Sequence, residues 1–144
     1  MTTARLALGG LALFLLGTLA SSGSDRAVAD KKADPLVYEL RTYTTHPGKL
    51  PALHKRFDDH TMQIFRKHGI KNVIYWTPSD PKLKNNTLVY LIAHKSRAAA
   101  NRSWAAFRED PDWQAAFKAS RKNGPLVKNV QRQFLVPTDY SPMK

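Results

Sequence analysis

The residues Val37 to Tyr43 read VYELRTY, and their alternation is the first place in the chain where side-chain chemistry gathers. On an extended strand successive side chains point to opposite faces, so Glu39, Arg41 and Tyr43 share one face at steps of about 7 Å. Tyr38, Leu40 and Thr42 occupy the other. A carboxylate beside a guanidinium stays ionised, which makes Glu39 a poor general acid and an indifferent base. The row suits two other tasks: an ion-pair network that sets the register of an interface, or a pocket in which Arg41 holds an acidic group and Tyr43 lines the wall.

Histidine is the second source of chemistry, with His46, His54, His60, His68 and His94. His60 interrupts an apolar helical stripe, and His94 closes a strand on the face that carries Tyr90 and Ile92. Either residue type-matches a haem ligand or a proton carrier near neutral pH. The plainer reading is a histidine hydrogen-bonded at the edge of the core, since no spacing resembles H-E-x-x-H; no metal site is expected. The chain has no cysteine. That excludes thiol catalysis, thiolate metal ligation, disulfides and lipoprotein anchoring, and leaves core packing to hold the fold. No nucleophile paired with a base and no phosphate loop is visible, so a non-enzymatic role leads.

The elements that must position these residues follow from breakers and periodicity. Leu36 to Thr45 reads as a strand, broken by Pro47-Gly48. Pro51 falls in the first turn of a helix whose stripe is Leu50, Leu53, Phe57, His60, Ile64 and Phe65, and His68-Gly69 ends it. IKNVIYWT and TLVYLIAHK form a hairpin around the loop PSDPKLKNN. Ser96 caps the next helix, and Asp110-Pro111 starts a new helical segment. Trp104, Phe107, Trp113 and Phe117 on these two helices read as core. Asn123-Gly124-Pro125 stops the second, VKNVQRQFLVP is the last strand, and TDYSPMK is a tail. The order β-α-β-β-α(α)-β is that of the split βαβ, an α+β ferredoxin-like unit with a four-stranded antiparallel sheet and helices on one face. With Tyr38, Leu40 and Thr42 packed on the helices, the polar row would face a barrel interior or dimer interface. The helix-free face needs a cover, and a second copy of the chain supplies one, so a homodimer is expected.

The start of the chain reads differently. A basic Arg5, an apolar run and Ala27-Val28-Ala29 have the layout of a secretory signal peptide over residues 1–29, with Ala20 as the alternative cleavage point. The run is short for a membrane span, which needs about 20 apolar residues, so no transmembrane span is expected after cleavage. Residues 30–35 read as a linker and 36–142 as the folded domain. The protein is therefore expected to be exported, periplasmic or extracellular. The formal charge of +12 falls by one when Arg5, Asp25 and Arg26 are removed. The lysines and arginines are scattered in ones and twos rather than gathered in a stripe with aromatic platforms, so no nucleic-acid partner is expected; an anionic envelope component is the better match for the charge.

Tyr38-Glu39-Leu40-Arg41-Thr42-Tyr43 followed by Pro47-Gly48-Lys49, then SRAAANRSWAAFREDPDWQAAF with its Asp110-Pro111-x-Trp113, and a closing FLVPTDYSP resemble the NIPSNAP domain family. The resemblance covers about Leu36 to Pro142. It implies a ferredoxin-like unit that pairs into a dimeric α/β barrel. It implies no particular reaction, because the wider barrel group includes cofactor-free monooxygenases, haem proteins and small-molecule binders. Two functions from different classes stand: a module that binds a small molecule or partner without chemistry and without a cofactor, and a monooxygenase-like or haem-type enzyme that uses the barrel interior. Glu39, Arg41, Tyr43, His60 and His94 are the candidate ligand-binding or interface residues for both.

Overall fold

Strand β1 (Val37–Thr45) lies in the middle of the sheet, bonded antiparallel to β3 (Thr87–His94) on one side and to β4 (Val127–Leu135) on the other. Strand β2 (Lys71–Trp76) flanks β3, giving the order β2-β3-β1-β4. The computed structural model describes residues 36–143; the expected leader (1–29) and linker (30–35) lie outside the described residues. Between β1 and β2 runs one continuous helical unit: α1 (Leu50–Arg56), a π-turn (Phe57–Thr61) and α2 (Met62–Lys67). Between β3 and β4 come α3 (Arg97–Glu109) and α4 (Pro111–Ser120). This is the expected antiparallel α+β ferredoxin-like arrangement. Among the described residues no helix is long and apolar enough to cross a membrane.

The ends of the helices are set by the chemistry read from the sequence. Ser96 accepts from the Ala99 N–H, and Asp110 accepts from the N–H groups of Asp112 and Trp113 with Pro111 as the first helical residue. Helix α2 ends in a Schellman motif, in which Gly69 at φ +72° donates to the Arg66 carbonyl and Ile70 to that of Phe65, while Ile70 and Phe65 bury together.

The π-turn changes which residues the first helical unit buries. Met62 N–H donates to the Phe57 carbonyl five residues back, and the Thr61 hydroxyl caps the Arg56 carbonyl at 3.1 Å. The wider turn rotates the residues after it. Thr61 takes the inward position expected of His60, and His60 is exposed. Arg56 and Phe57 are buried side by side at the entrance to the turn.

A single core lies between the sheet and the helices, built on Leu53, Phe57, Phe65, Leu88, Tyr90, Ile92 and Phe107. Its centre is aromatic: Phe57 meets Tyr90 edge-on at 5.2 Å between ring centroids, and Tyr75 stacks on Tyr90 at 5.3 Å. Strand register decides which face joins it. Glu39, Arg41 and Tyr43 lie opposite Ile92, Tyr90 and Leu88, three core residues of β3. The polar row therefore points toward the helices, the reverse of the expected facing. Alternation fixes which residues share a face; the neighbours across the ladder fix which face turns inward. Tyr38, Leu40 and Thr42 lie on the helix-free face instead, level with Leu91 and Val89, with Ile74 and Trp76 beyond them on β2.

Asp110 also holds the two helical layers together. Its Oδ2 lies 2.6 Å from His68 Nε2 and 2.8 Å from Lys67 Nζ, so the end of α2 is tied to the start of α4. Hydrogen bonds from Lys67 and His68, joined by those from the Trp113 and Asp112 amides, hold its carboxyl well below the ordinary 3.8 against a smaller upward push from burial. A depressed folded-state pKa gives stability that is fully present above the unfolded value and lost as pH falls through the folded one. Asp110→Asn keeps a cap but removes the charge. Thermal melts should show a lower Tm for this variant at neutral pH and a difference from wild type that shrinks on acidification below about pH 4.

Candidate functional site

Two features on the helix side of the sheet bring functional side chains together. The first is the buried network on Glu39, whose side chain is fully enclosed. Arg41 Nη1 donates to its Oε1, while Trp104 Nε1 from α3 donates to Oε2 at 2.7 Å. His94 Nε2 lies 3.1 Å from the same Oε2, so a proton on Nε2 is donated to that oxygen, and Nδ1 is buried without a partner among the described residues. Arg41 Nη2 reaches the Tyr43 hydroxyl at 3.2 Å, and its guanidinium lies 4.4 Å over the Trp104 ring. Burial acts to raise the Glu39 pKa, but the hydrogen bonds from His94 and Trp104 and the charge of Arg41 outweigh it and hold the carboxyl below its usual value. Glu39 is an ionised acceptor engaged on both oxygens. It lines neither of the two cavities described below and serves as an organising anion for the sheet and α3.

Glu39, Arg41, Tyr43 and His94 thus come together as one chain of hydrogen bonds, whereas His60 sits apart on the surface of the π-turn. Trp104 belongs to the network although its helical spacing reads only as core. A tryptophan on the helix that packs over a buried carboxylate is the signal that identifies it.

The second feature is a cleft of about 380 Å³ between α1 and α4 on one side and the β1–β4 edge of the sheet on the other. Tyr43, Trp113 and Phe117 give it aromatic walls, and Arg56, Arg121 and Lys128 give it charge. Tyr43 connects the two features: its hydroxyl takes a bond from Arg41, and its ring lines the cleft. Arg56 is only 5% exposed. Its Nη1 donates to Ser120 Oγ at 3.2 Å, its Nε has no partner among the described residues, and its guanidinium lies 5.1 Å from the Trp113 ring centroid and 5.4 Å from that of Phe117. Burial pushes its pKa down, yet an arginine keeps its proton at neutral pH. Arg56 is the candidate site residue that pattern reading misses. It does leave a trace, since it falls on the buried stripe between Leu53 and Phe57, where a solvated cation does not belong.

A wider hollow of about 630 Å³ between the first helical unit and α4 is lined by His60, Gln63, Lys67 and Asp112. Lys67 and Asp112 are exposed and already pair with each other at 3.2 Å. Among the described residues no three of histidine, aspartate and glutamate gather as a metal ion would need.

The NIPSNAP family profile matches residues 38–142. A NIPSNAP family protein of unknown function from Agrobacterium tumefaciens superposes with a TM-score of 0.66 at 24% identity, over 76% of this chain and 95% of that one. An uncharacterised NIPSNAP-like domain protein from Burkholderia xenovorans gives 0.64 at 22% identity, over 74% and 89%. A putative antibiotic biosynthesis monooxygenase from Chloroflexus aurantiacus gives 0.50 at 17% identity, over 76% and 99%, a likeness of fold. No curated protein matches the chain.

Proposed function

Because the chain belongs to the NIPSNAP family, a membership that fixes a fold and no reaction, we propose from its geometry that it is an exported, homodimeric module that binds a small molecule without chemistry and without a cofactor. The cleft beside Tyr43 and Arg56 carries this reading. It has the size of a small ligand site, aromatic walls and a few convergent polar groups, one of them buried and incompletely bonded. The enzyme alternative needs a group free to take or give a proton, and Glu39 and the Nε2 of His94 are spent on each other and on their neighbours. Native mass spectrometry of protein taken from its own cell envelope tests the reading. A dimer that retains a small molecule supports it, and a monomer that retains nothing and is recovered from the cytosol with its leader intact overturns it.

The dimer forms through the helix-free face. Ile74 (39% exposed), Trp76 (44%) and Leu135 (37%) leave an apolar patch on that face, continuous with half-buried Leu40, Val89 and Leu91. Ile74→Glu puts a charge on the β2 side of the patch. Light scattering at micromolar concentration should give a dimer for the wild type and a folded monomer for the variant; a wild-type monomer would remove the dimer from the proposal.

A further inference from the structure

Resting on the cleft reading above, we infer that the ligand is a small organic carboxylate with a flat, apolar body, and that Arg56 is the residue that recognises its charge. Among the described residues Arg56 is hydrogen-bonded only through Nη1 to a serine, and its Nε is an enclosed donor without an acceptor. A buried cation without an anion is costly, and an anion arriving from outside would offset that cost. The residues around it agree. Arg121, whose guanidinium lies 4.7 Å from the Phe117 ring centroid, and Lys128 add positive charge to the cleft, and among the described residues no acidic side chain lines it.

Geometry narrows the ligand further. A guanidinium presents a planar fork that matches a carboxylate through two parallel N–H···O bonds, and this one lies against the rings of Trp113 and Phe117. The remaining lining is aromatic, with Tyr43, Trp113 and Phe117 offering ring faces and edges to a flat body. A space of about 380 Å³ lies at the small end of ligand sites and fits a one- or two-ring acid rather than a nucleotide or a lipid. Ser120 and the π-turn hold the arginine in place: the Thr61 hydroxyl on the Arg56 carbonyl stabilises the backbone turn that directs this side chain inward.

The test pairs acids with neutral isosteres. Benzoate and 1-naphthoate are titrated against benzamide and 1-naphthamide, reading affinity by calorimetry and location by the indole N–H signals of Trp76, Trp104 and Trp113 in two-dimensional NMR. The acids should shift the Trp113 signal and bind about 10- to 100-fold more tightly than the amides, the range of a charge-assisted hydrogen bond. Arg56→Met should remove that preference by bringing acid affinity down to the level of the amides, and Arg56→Lys, which keeps charge without the fork, should retain part of it. Acids and amides binding equally at Trp113 in both proteins would overturn the carboxylate assignment and leave the binding module standing. Acid binding that persists in Arg56→Met with shifts away from Trp113 would overturn it in favour of general attraction to a basic surface. No response to any of the four probes would overturn the assignment together with the cleft reading.

Discussion

Glu39→Gln should cost the fold about 3–5 kcal/mol, the largest loss we expect from any single polar substitution in this chain. The carboxylate is fully enclosed and accepts from Arg41, Trp104 and His94 at once. A glutamine oxygen can still accept from Trp104 and His94, but its amide nitrogen then faces the Arg41 guanidinium, donor against donor, and the arginine is left nearly buried without an anion. Arg41→Met should be milder, because the carboxylate keeps two donors. The double substitution should lose less than the sum of the single ones, since methionine removes the charge that glutamine strands. Chemical denaturation of the four proteins measures this coupling directly, and additive losses under about 1 kcal/mol would mean that the network is wet. The pH dependence has a definite sign. Because the folded state holds the Glu39 pKa below its ordinary 4.5, the stabilisation is complete above that value and erodes as pH falls through the folded-state pKa; the glutamine variant should lack that part of the acid slope.

The same residues show how far the chain can be read without coordinates. That Glu39 and Arg41 would meet follows from strand alternation alone, and the caps at Ser96 and Asp110 and the stop at Gly69 follow from local chemistry that acts over three or four residues. The facing of the polar row was not legible, because both faces of β1 carry residues that can be buried, and the choice is made by Leu88, Tyr90 and Ile92 some fifty residues later. The π-turn was not legible either. Periodicity assumes a constant turn, and one residue of extra width exchanges His60 for Thr61 on the inner face. Arg56 reads as one of the scattered cations for a physical reason: charge ordinarily predicts exposure, and an enclosed arginine with no acid among the described residues beside it runs against that tendency. Such local conflicts with the rules gather where a fold binds something.

This conflict gives the second expected result, a substitution that removes a functional group and strengthens the empty protein. Arg56→Met should raise the stability of the ligand-free chain by about 1–2 kcal/mol. The wild type keeps a cation out of water with one hydrogen bond to Ser120, an unbonded Nε and two ring contacts as compensation. Methionine has no charge to desolvate and can fill much of the same apolar space against Trp113 and Phe117 with a flexible thioether. It forfeits the cation–π attraction, about 0.5–2 kcal/mol for such contacts, and the serine bond, about 1 kcal/mol, which is why the net gain is modest. A bound carboxylate should reverse the order, because it completes the arginine's hydrogen bonds and stabilises only the protein that can hold it, by an amount that grows with the logarithm of its concentration. Thermal melts of both proteins, empty and with saturating 1-naphthoate, separate the two effects. The methionine variant should melt higher when both are empty and gain less from the ligand. An empty variant that melts well below wild type would mean that Arg56 is satisfied within the fold, and the cation would then be a structural strut between α1 and α4 rather than a waiting half of a binding site.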